Sequence, residues 1–224
     1  MKPLLLDLFC GAGGAAMGYS RAGFNVIGVD INPQPRYPFS FYEGDALTIF
    51  DPNPIGDVFD AIHASPPCQA YSTTASLHDN EYPELIAPVR ELLQATGLPY
   101  VIENVAGARS HMREPITLCG SSFGLGVRRH RLFEVHGFEV GMVPPCAHHD
   151  QPEPVDVTGT GSSRVGPRLD GAGGNSRKPR NLAHAREAMG IDYMTRQELS
   201  EAVPPAYTEW IGERLMAAVM ERAA

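Results

Sequence analysis

Three short stretches of this chain carry residues able to do chemistry. Pro66-Pro67-Cys68-Gln69 closes an apolar run, Val58 to Ala64. Two prolines restrict the exit of the chain and hold the thiol with little freedom. A thiol so placed can attack an electrophilic carbon once it loses its proton. Glu103-Asn104 closes a second apolar run, Tyr100-Val101-Ile102. The segment between Cys68 and Glu103 has room for one helix, the length of a right-handed crossover between adjacent parallel strands. Such a crossover sets the carboxyl beside the thiol, where burial would raise its pKa and suit it to proton donation. The third stretch is Phe9-Cys10-Gly11-Ala12-Gly13-Gly14, a glycine turn leading into Ala15 to Ala22. Its glycines admit a ligand to the backbone, and the helix behind it offers free N–H groups. Asp30, closing Asn25 to Val29, would accept hydrogen bonds from ribose hydroxyls. The Gly11, Gly13 and Ala16 spacing suits a nicotinamide dinucleotide as well as S-adenosylmethionine, so the turn alone specifies a nucleoside cofactor.

These groups need a scaffold that brings strand ends together. Leu4 to Phe9, Asn25 to Val29, Ser40 to Asp45, Val58 to Ala64 and Tyr100 to Ile102 read as strands. Helices fit Ala15 to Ala22 and Glu84 to Thr96 between them. Strands alternating with helices predict βαβ units: an α/β, Rossmann-like, mostly parallel sheet covered on both faces. Ligands in such sheets bind beyond the carboxyl ends of the strands, where all three stretches fall. Arg131 to Val135 reads as a further strand. Leu182 to Met189, Arg196 to Ala202 and Tyr207 to Arg222 are helical, the last with Trp210, Ile211, Leu215, Ala218 and Val219 at core-facing spacing. Between them, 137–181 is rich in Gly, Pro and Ser without periodicity. The expected organisation is a catalytic and cofactor-binding domain of residues 1–136 and 182–224 with a small insertion at 137–181.

At 224 residues the chain suits one domain with a sizeable core. Its net charge of −8 argues against a protein that coats nucleic acid by charge alone. No apolar run approaches the roughly 18–20 residues of a membrane span, and Asp7 interrupts the opening leucines, so a cytoplasmic protein away from the membrane is expected. Cys10, Cys119 and Cys146 read as reduced, small, buried apolar side chains. Cys146-Ala147-His148-His149 has the residue types of a metal site. Adjacent histidines rarely reach one tetrahedral ion, however, so it reads as a plain loop and no metal is assigned.

Taken together, Asp7-Leu8-Phe9-Cys10-Gly11-Ala12-Gly13-Gly14, Pro66-Pro67-Cys68-Gln69, Glu103-Asn104-Val105, Arg129-His130-Arg131 and Ala202-Val203-Pro204-Pro205 resemble, in order, the landmarks of the cytosine 5-position DNA methyltransferases. The resemblance implies transfer of a methyl group from S-adenosylmethionine to carbon 5 of a cytosine extruded from double-stranded DNA, by a compact monomer of the phage-encoded type. By that resemblance Cys68 adds to carbon 6 and Glu103 holds or protonates ring nitrogen 3. Arg131 contacts the base carbonyl, and Arg129 a phosphate or the closed loop. Phe9, Cys10, Gly11, Gly13, Gly14, Asp30, Ile31, Asp45, Ala46 and Pro67 line the cofactor. Gln69 and Ser72 face DNA at the start of a closing loop, Tyr71 to Tyr82. Methylation of tRNA, or a non-catalytic binder on the same fold, are the alternatives.

Some positions depart from the family pattern. Val127 stands where Gln is usual, Asp30 where Glu is commoner, and Ser200-Glu201 replaces Gly-Asn. The target-reading region is reduced to 137–181. Eleven of the 18 basic residues fall within 109–131 and 158–186, leaving the remainder strongly acidic. Arg164, Arg168, Arg177, Lys178 and Arg180 are therefore expected to contact DNA phosphates or guanine edges.

Overall fold

A computed structural model describes residues 2–50, 58–71, 83–151, 153–158 and 176–223. It contains seven strands: β1 (Leu4–Leu8), β2 (Asn25–Asp30), β3 (Ser40–Glu43), β4 (Ala61–Ala64), β5 (Tyr100–Val105), β6 (Ile116–Leu118) and β7 (Arg131–His136). They form one sheet in the order β3-β2-β1-β4-β5-β7-β6. The first five are parallel, and β7 runs antiparallel to both β5 and β6. The mostly parallel α/β sheet expected from the alternating pattern is present.

Strand alternation sends side chains to opposite faces, and both faces are covered. Leu5, Ala61 and Val101 pack with Tyr19 of α1 (Gly14–Arg21) and with Tyr207, Ile211 and Leu215 of the closing helix. Leu6, Ile62 and Ile102 pack with Ile86, Val89 and Leu93 of α2 (Ile86–Ala95). Two short helices, α3 (Leu182–Met189) and α4 (Arg196–Glu201), build a third cluster with Val127, Val155 and Val157. The closing helix, α5 (Pro205–Arg222), begins with Pro at its first turn, where the missing N–H costs nothing. It lies so close to α1 that a Cβ on Gly18 would stand 2.1 Å from Thr208 Oγ1. That hydroxyl donates instead to the Ala15 carbonyl at 2.8 Å.

Most element boundaries shift by a residue or more from the sequence reading, and three of the differences bear on the site. β4 begins at Ala61, where its pairing with β1 starts, while Asp60 just before it is tied to Leu4 twice: its N–H donates to the Leu4 carbonyl at 2.9 Å and its carboxylate accepts the Leu4 N–H at 2.7 Å. β5 continues to Val105 because β7 pairs with it along its whole length, so Glu103 and Asn104 lie within the strand rather than beyond it. β6 has three residues, too few for an alternation to show.

One ion pair locks the antiparallel edge. Arg90 of α2 grips Glu134 of β7 through Nε at 2.6 Å and Nη2 at 2.7 Å, and both side chains are buried. Arg90 also donates to the His111 carbonyl, and Glu134 accepts the Arg113 N–H, each at 2.7 Å. Replacing Glu134 with Gln strands a buried guanidinium, and a loss of about 3–5 kcal/mol in urea denaturation is expected. At the end of β1, burial pushes the Asp7 carboxyl up to about 8, with the Tyr37 hydroxyl pulling down and the Asp30 charge pushing up. The folded state thus holds this proton more tightly than the unfolded chain, so its stabilisation is complete below the usual 3.8 and is lost as pH rises through about 8. Asp7→Asn is expected to flatten the fall in thermal stability over that interval relative to the native chain.

Candidate active site

The carboxyl ends of β1, β2, β4 and β5 meet at one edge, as the sequence requires. Cys68 leaves β4 through Ser65-Pro66-Pro67 and is exposed at the mouth of a short helical turn, Gln69–Tyr71. The turn is held from β5. Asn104 Nδ2 donates to the Pro66 carbonyl at 2.9 Å, while Asn104 Oδ1 accepts the Val105 N–H at 2.9 Å. Both contacts are made from a position 1% exposed. The Glu-Asn pair is therefore one device: the acid serves the cleft, and the amide fixes the loop that carries the thiol.

Glu103 is buried at 6% exposure. Desolvation pushes its carboxyl up, against the pull of the Arg131 and Arg129 charges and a hydrogen bond from Ser65. Arg131 Nε stands 3.0 Å from Glu103 Oε1 as an ion pair, off the line of a hydrogen bond, so that oxygen has no hydrogen-bond partner. Ser65 ends a buried chain of contacts. Tyr19 Oη lies 2.9 Å from His63 Nδ1, and His63 Nε2 lies 2.9 Å from Ser65 Oγ. Burial holds His63 neutral, its pKa lowered to about 3. With Ser65 donating to the carboxylate, His63 donates from Nε2 and accepts Tyr19 at Nδ1. Nothing in the motifs pointed to this chain. Its one signal is a histidine inside the apolar strand Ala61-Ile62-His63-Ala64.

The Cys68 thiol shares this field. The surrounding protein pushes its pKa up, Arg131 pulls it down and Glu103 opposes Arg131. Arg129 is half-buried, and desolvation followed by the Arg131 charge lowers its pKa to about 9. Its Nη2 donates to the Ser200 carbonyl at 2.7 Å, while Nε and Nη1 have no partner. Tyr207 Oη donates to the Arg129 and Arg128 carbonyls at 2.8 and 3.2 Å. Among the described residues, only Phe9, Glu114 and Arg129 are non-glycine positions with positive φ, at 55°, 44° and 32°. Two of the three are predicted site residues, where such strain is commonly kept.

The glycine turn divides its labour. A Cβ on Gly11, at φ +48°, would meet nothing within 4 Å. Gly13 instead makes room for Tyr37 and Pro38, and Gly14 for the Val203 carbonyl of the closing segment. Asp30 accepts the Gly11 N–H on Oδ2 and the Asn32 N–H on Oδ1, both at 3.0 Å, which ties β2 to the turn. Ile31 beside it is 66% exposed. Asp45 Oδ1 accepts the Leu47 N–H at 2.9 Å, Ala46 and Cys10 are buried, and Pro67 and Gln69 are exposed.

The basic residues divide as well. Arg128 donates to the Gln151 and His148 carbonyls, and Arg186 to those of Met194 and Tyr193, so both are spent inside the fold. Lys178 is held by Asp156 and the Thr158 carbonyl, while Arg177 pairs with Glu153 at an exposed position and Arg180 is exposed. Ser72, Arg164 and Arg168 lie outside the described residues, as does most of the expected closing loop. Val127, at the departure from the family pattern, is a core residue 1% exposed. Cys119 is buried as expected, but Cys146 is exposed, and the two lie in a cluster with His130 and His148. The plain-loop reading missed this gathering because His130 lies 16 residues along the chain from Cys146 and Cys119 lies 29 from His148.

Residues 4–118 match the family model of the C-5 cytosine-specific DNA methylases. The chain is 27% identical over 195 residues to the type II methyltransferase M.AgeI of Thalassovita gelatinovora, covering 71% of this chain and 44% of that protein. It is 29% identical over 128 residues to M1.HphI of Haemophilus parahaemolyticus, covering 50% and 34%. It therefore spans less than half the length of these curated relatives. Among solved structures, a candidate DNA modification methyltransferase encoded within an E. coli prophage superposes with a TM-score of 0.64 at 15% identity, covering 97% of this chain and 99% of that one. The Dnmt2 methyltransferase of S. pombe superposes with a TM-score of 0.57 at 12% identity over the whole of both chains. At those identities the likeness is one of fold. The family match is different in kind, since it runs through the strands and turns that place Cys68 and Glu103: this chain belongs to the C-5 cytosine-specific DNA methylases.

Proposed function

We propose that this chain methylates carbon 5 of cytosine in double-stranded DNA, with Cys68 as nucleophile and Glu103 as acid. The observation that carries the reading is the buried Glu103 carboxyl: it interacts with the exposed Cys68 thiol and is ion-paired to Arg131 at 3.0 Å. Such a carboxyl suits ring nitrogen 3 of a base taken out of the stack and brought into the cleft. The Cys68 thiolate forms a bond to carbon 6, and Glu103 neutralises the charge that develops across the ring. Carbon 5 then becomes nucleophilic and would take the methyl group as its bond to the donor's sulfonium sulfur breaks, leaving the neutral thioether. Loss of the carbon 5 proton to a base re-forms the double bond and expels the thiolate. Arg131 is placed to polarise the base carbonyl.

The residues at the ends of β1 and β2 fit S-adenosylmethionine. Gly11 opens onto free space, Asp30 retains acceptor capacity for a ribose diol, and Ile31 offers an exposed apolar surface to a purine. S-adenosylmethionine supplies the electrophilic methyl group. Phe9 joins Ile31 at the base, while Asp45 and the Ala46 backbone read its edge. Residues 137–181 serve as the target-reading insertion, with the exposed Arg177 and Arg180 toward DNA. No helix among the described residues is long and apolar enough to cross a membrane.

Expression in a host lacking cytosine methylation, followed by sequencing, is expected to reveal 5-methylcytosine in DNA. Unmodified DNA with modified tRNA would overturn the choice of substrate. A duplex carrying 5-fluorocytosine should become covalently joined to the native chain at Cys68. Cys68→Ser should lose both trapping and turnover, with cofactor affinity within about threefold of native. Asn104→Ala leaves the Pro66 carbonyl without its donor. A stability loss of about 1–3 kcal/mol is expected together with slower trapping, read by denaturation and by adduct formation.

A further inference from the structure

At the antiparallel edge of the sheet, four metal-ligating side chains converge: Cys119, His130, Cys146 and His148, with one donor atom of each within 4.8 Å of all the others. Their meeting follows from strand register. Leu118 of β6 faces Arg131 of β7, so Cys119 and His130, the residues just outside that pair, leave adjoining strands side by side. The Gly120 N–H donates to the Arg128 carbonyl at 2.7 Å and keeps the two segments together. Cys146 and His148 arrive from the following loop, one residue apart, while His149 turns outward to the exposed Asp150.

We propose that this cluster is a structural zinc site of the Cys2His2 type, which staples the 137–151 loop to the arginine segment. The donor set is that of closed tetrahedral zinc centres, and two thiolates with two imidazoles favour zinc over the hard cations. The spacing fits. Zinc bonds of about 2.3 Å to sulfur and about 2.0–2.1 Å to nitrogen separate neighbouring donors by roughly 3.3–3.8 Å. Here Cys119 Sγ lies 3.2 Å from His148 Nε2, and Cys146 Sγ lies 3.5 Å from His130 Nε2. Ser121 supports the set, its Oγ 3.1 Å from Cys119 Sγ while it accepts the Ala147 N–H at 3.1 Å. No residue of 137–151 is fully buried: Phe138 and Val143 pack partly buried against the core, and hydrogen bonds such as Ser122 Oγ to the Pro145 carbonyl and Arg214 Nε to the Val140 carbonyl add to them. Segments with so modest a share of core are commonly held by a metal or a disulfide. With all four positions filled by protein, the ion has no place for substrate and does no chemistry. Its effect passes through His130, which sits between Arg129 and Arg131 and so pins the strained turn that presents both.

The proposal is independent of the methylation reading and is tested without it. The full chain, purified under reducing conditions, should carry about one equivalent of zinc by elemental mass spectrometry. Cobalt(II) added to the stripped chain should give the near-ultraviolet thiolate charge-transfer band and the intense visible bands of a tetrahedral site. Cys146→Ser and His148→Ala should lose both signatures and the thermal stabilisation by zinc, whereas His149→Ala should keep them. A native chain without zinc and without a tetrahedral cobalt spectrum would overturn the proposal, whether or not the variants fold. So would a thiol count showing Cys119 and Cys146 joined as a disulfide, or a Cys146→Ser chain that binds zinc as the native one does.

Discussion

A carboxyl that must donate to a base has to be dry, and a dry carboxyl has to be held. Glu103 meets both demands inside β5, and the rest of the site depends on how it does so. Arg131 supplies charge from an ion pair 3.0 Å from Oε1, and Ser65 supplies a hydrogen bond from just beyond the neighbouring strand. Both partners exist because of pairing. β4 runs parallel to β5 and brings Ser65 alongside, whereas β7 runs antiparallel and returns the arginine segment to the end of β5. A wholly parallel sheet would have delivered that segment to the opposite edge. The reversed strand is thus a condition of the proposed chemistry, and the buried Arg90–Glu134 pair ties it to α2.

The same economy recurs around Cys68. Its thiol is exposed, but its backbone is fixed by an amide from the adjacent strand, so access and placement are separately controlled. The glycine turn shows a comparable division, with one glycine open to a ligand and two yielding space to protein. A motif that looks like a single binding element is therefore part cradle and part packing joint.

The strands, the turns after them and the acid–thiol pairing were legible because each is local or follows from one crossover. Apolar runs ending in glycine, proline or an acid announce themselves at a range of a few residues. What was not legible depends on register between distant segments. The continuation of β5 past Ile102 needs β7, and the convergence of Cys119 with His130 needs the β6–β7 pairing of a strand too short to see. The charge count succeeded in locating basic stretches but could not distinguish Arg128 and Arg186, which serve buried carbonyls, from Arg177 and Arg180, which face outward. Composition records which charges exist; only packing decides which of them solvent can reach.

The grip of the closing segment on the arginine turn sets an order of assembly. Arg129 finds its acceptor at Ser200, and the turn itself is bonded by Tyr207, so both contacts come from residues made long after Cys68 and Glu103. A nascent chain that has emerged only as far as β7 holds its thiol and acid but lacks the groups that set the arginines. The groups that set the arginine turn thus join the cleft only after the strands that carry Cys68 and Glu103 have been made.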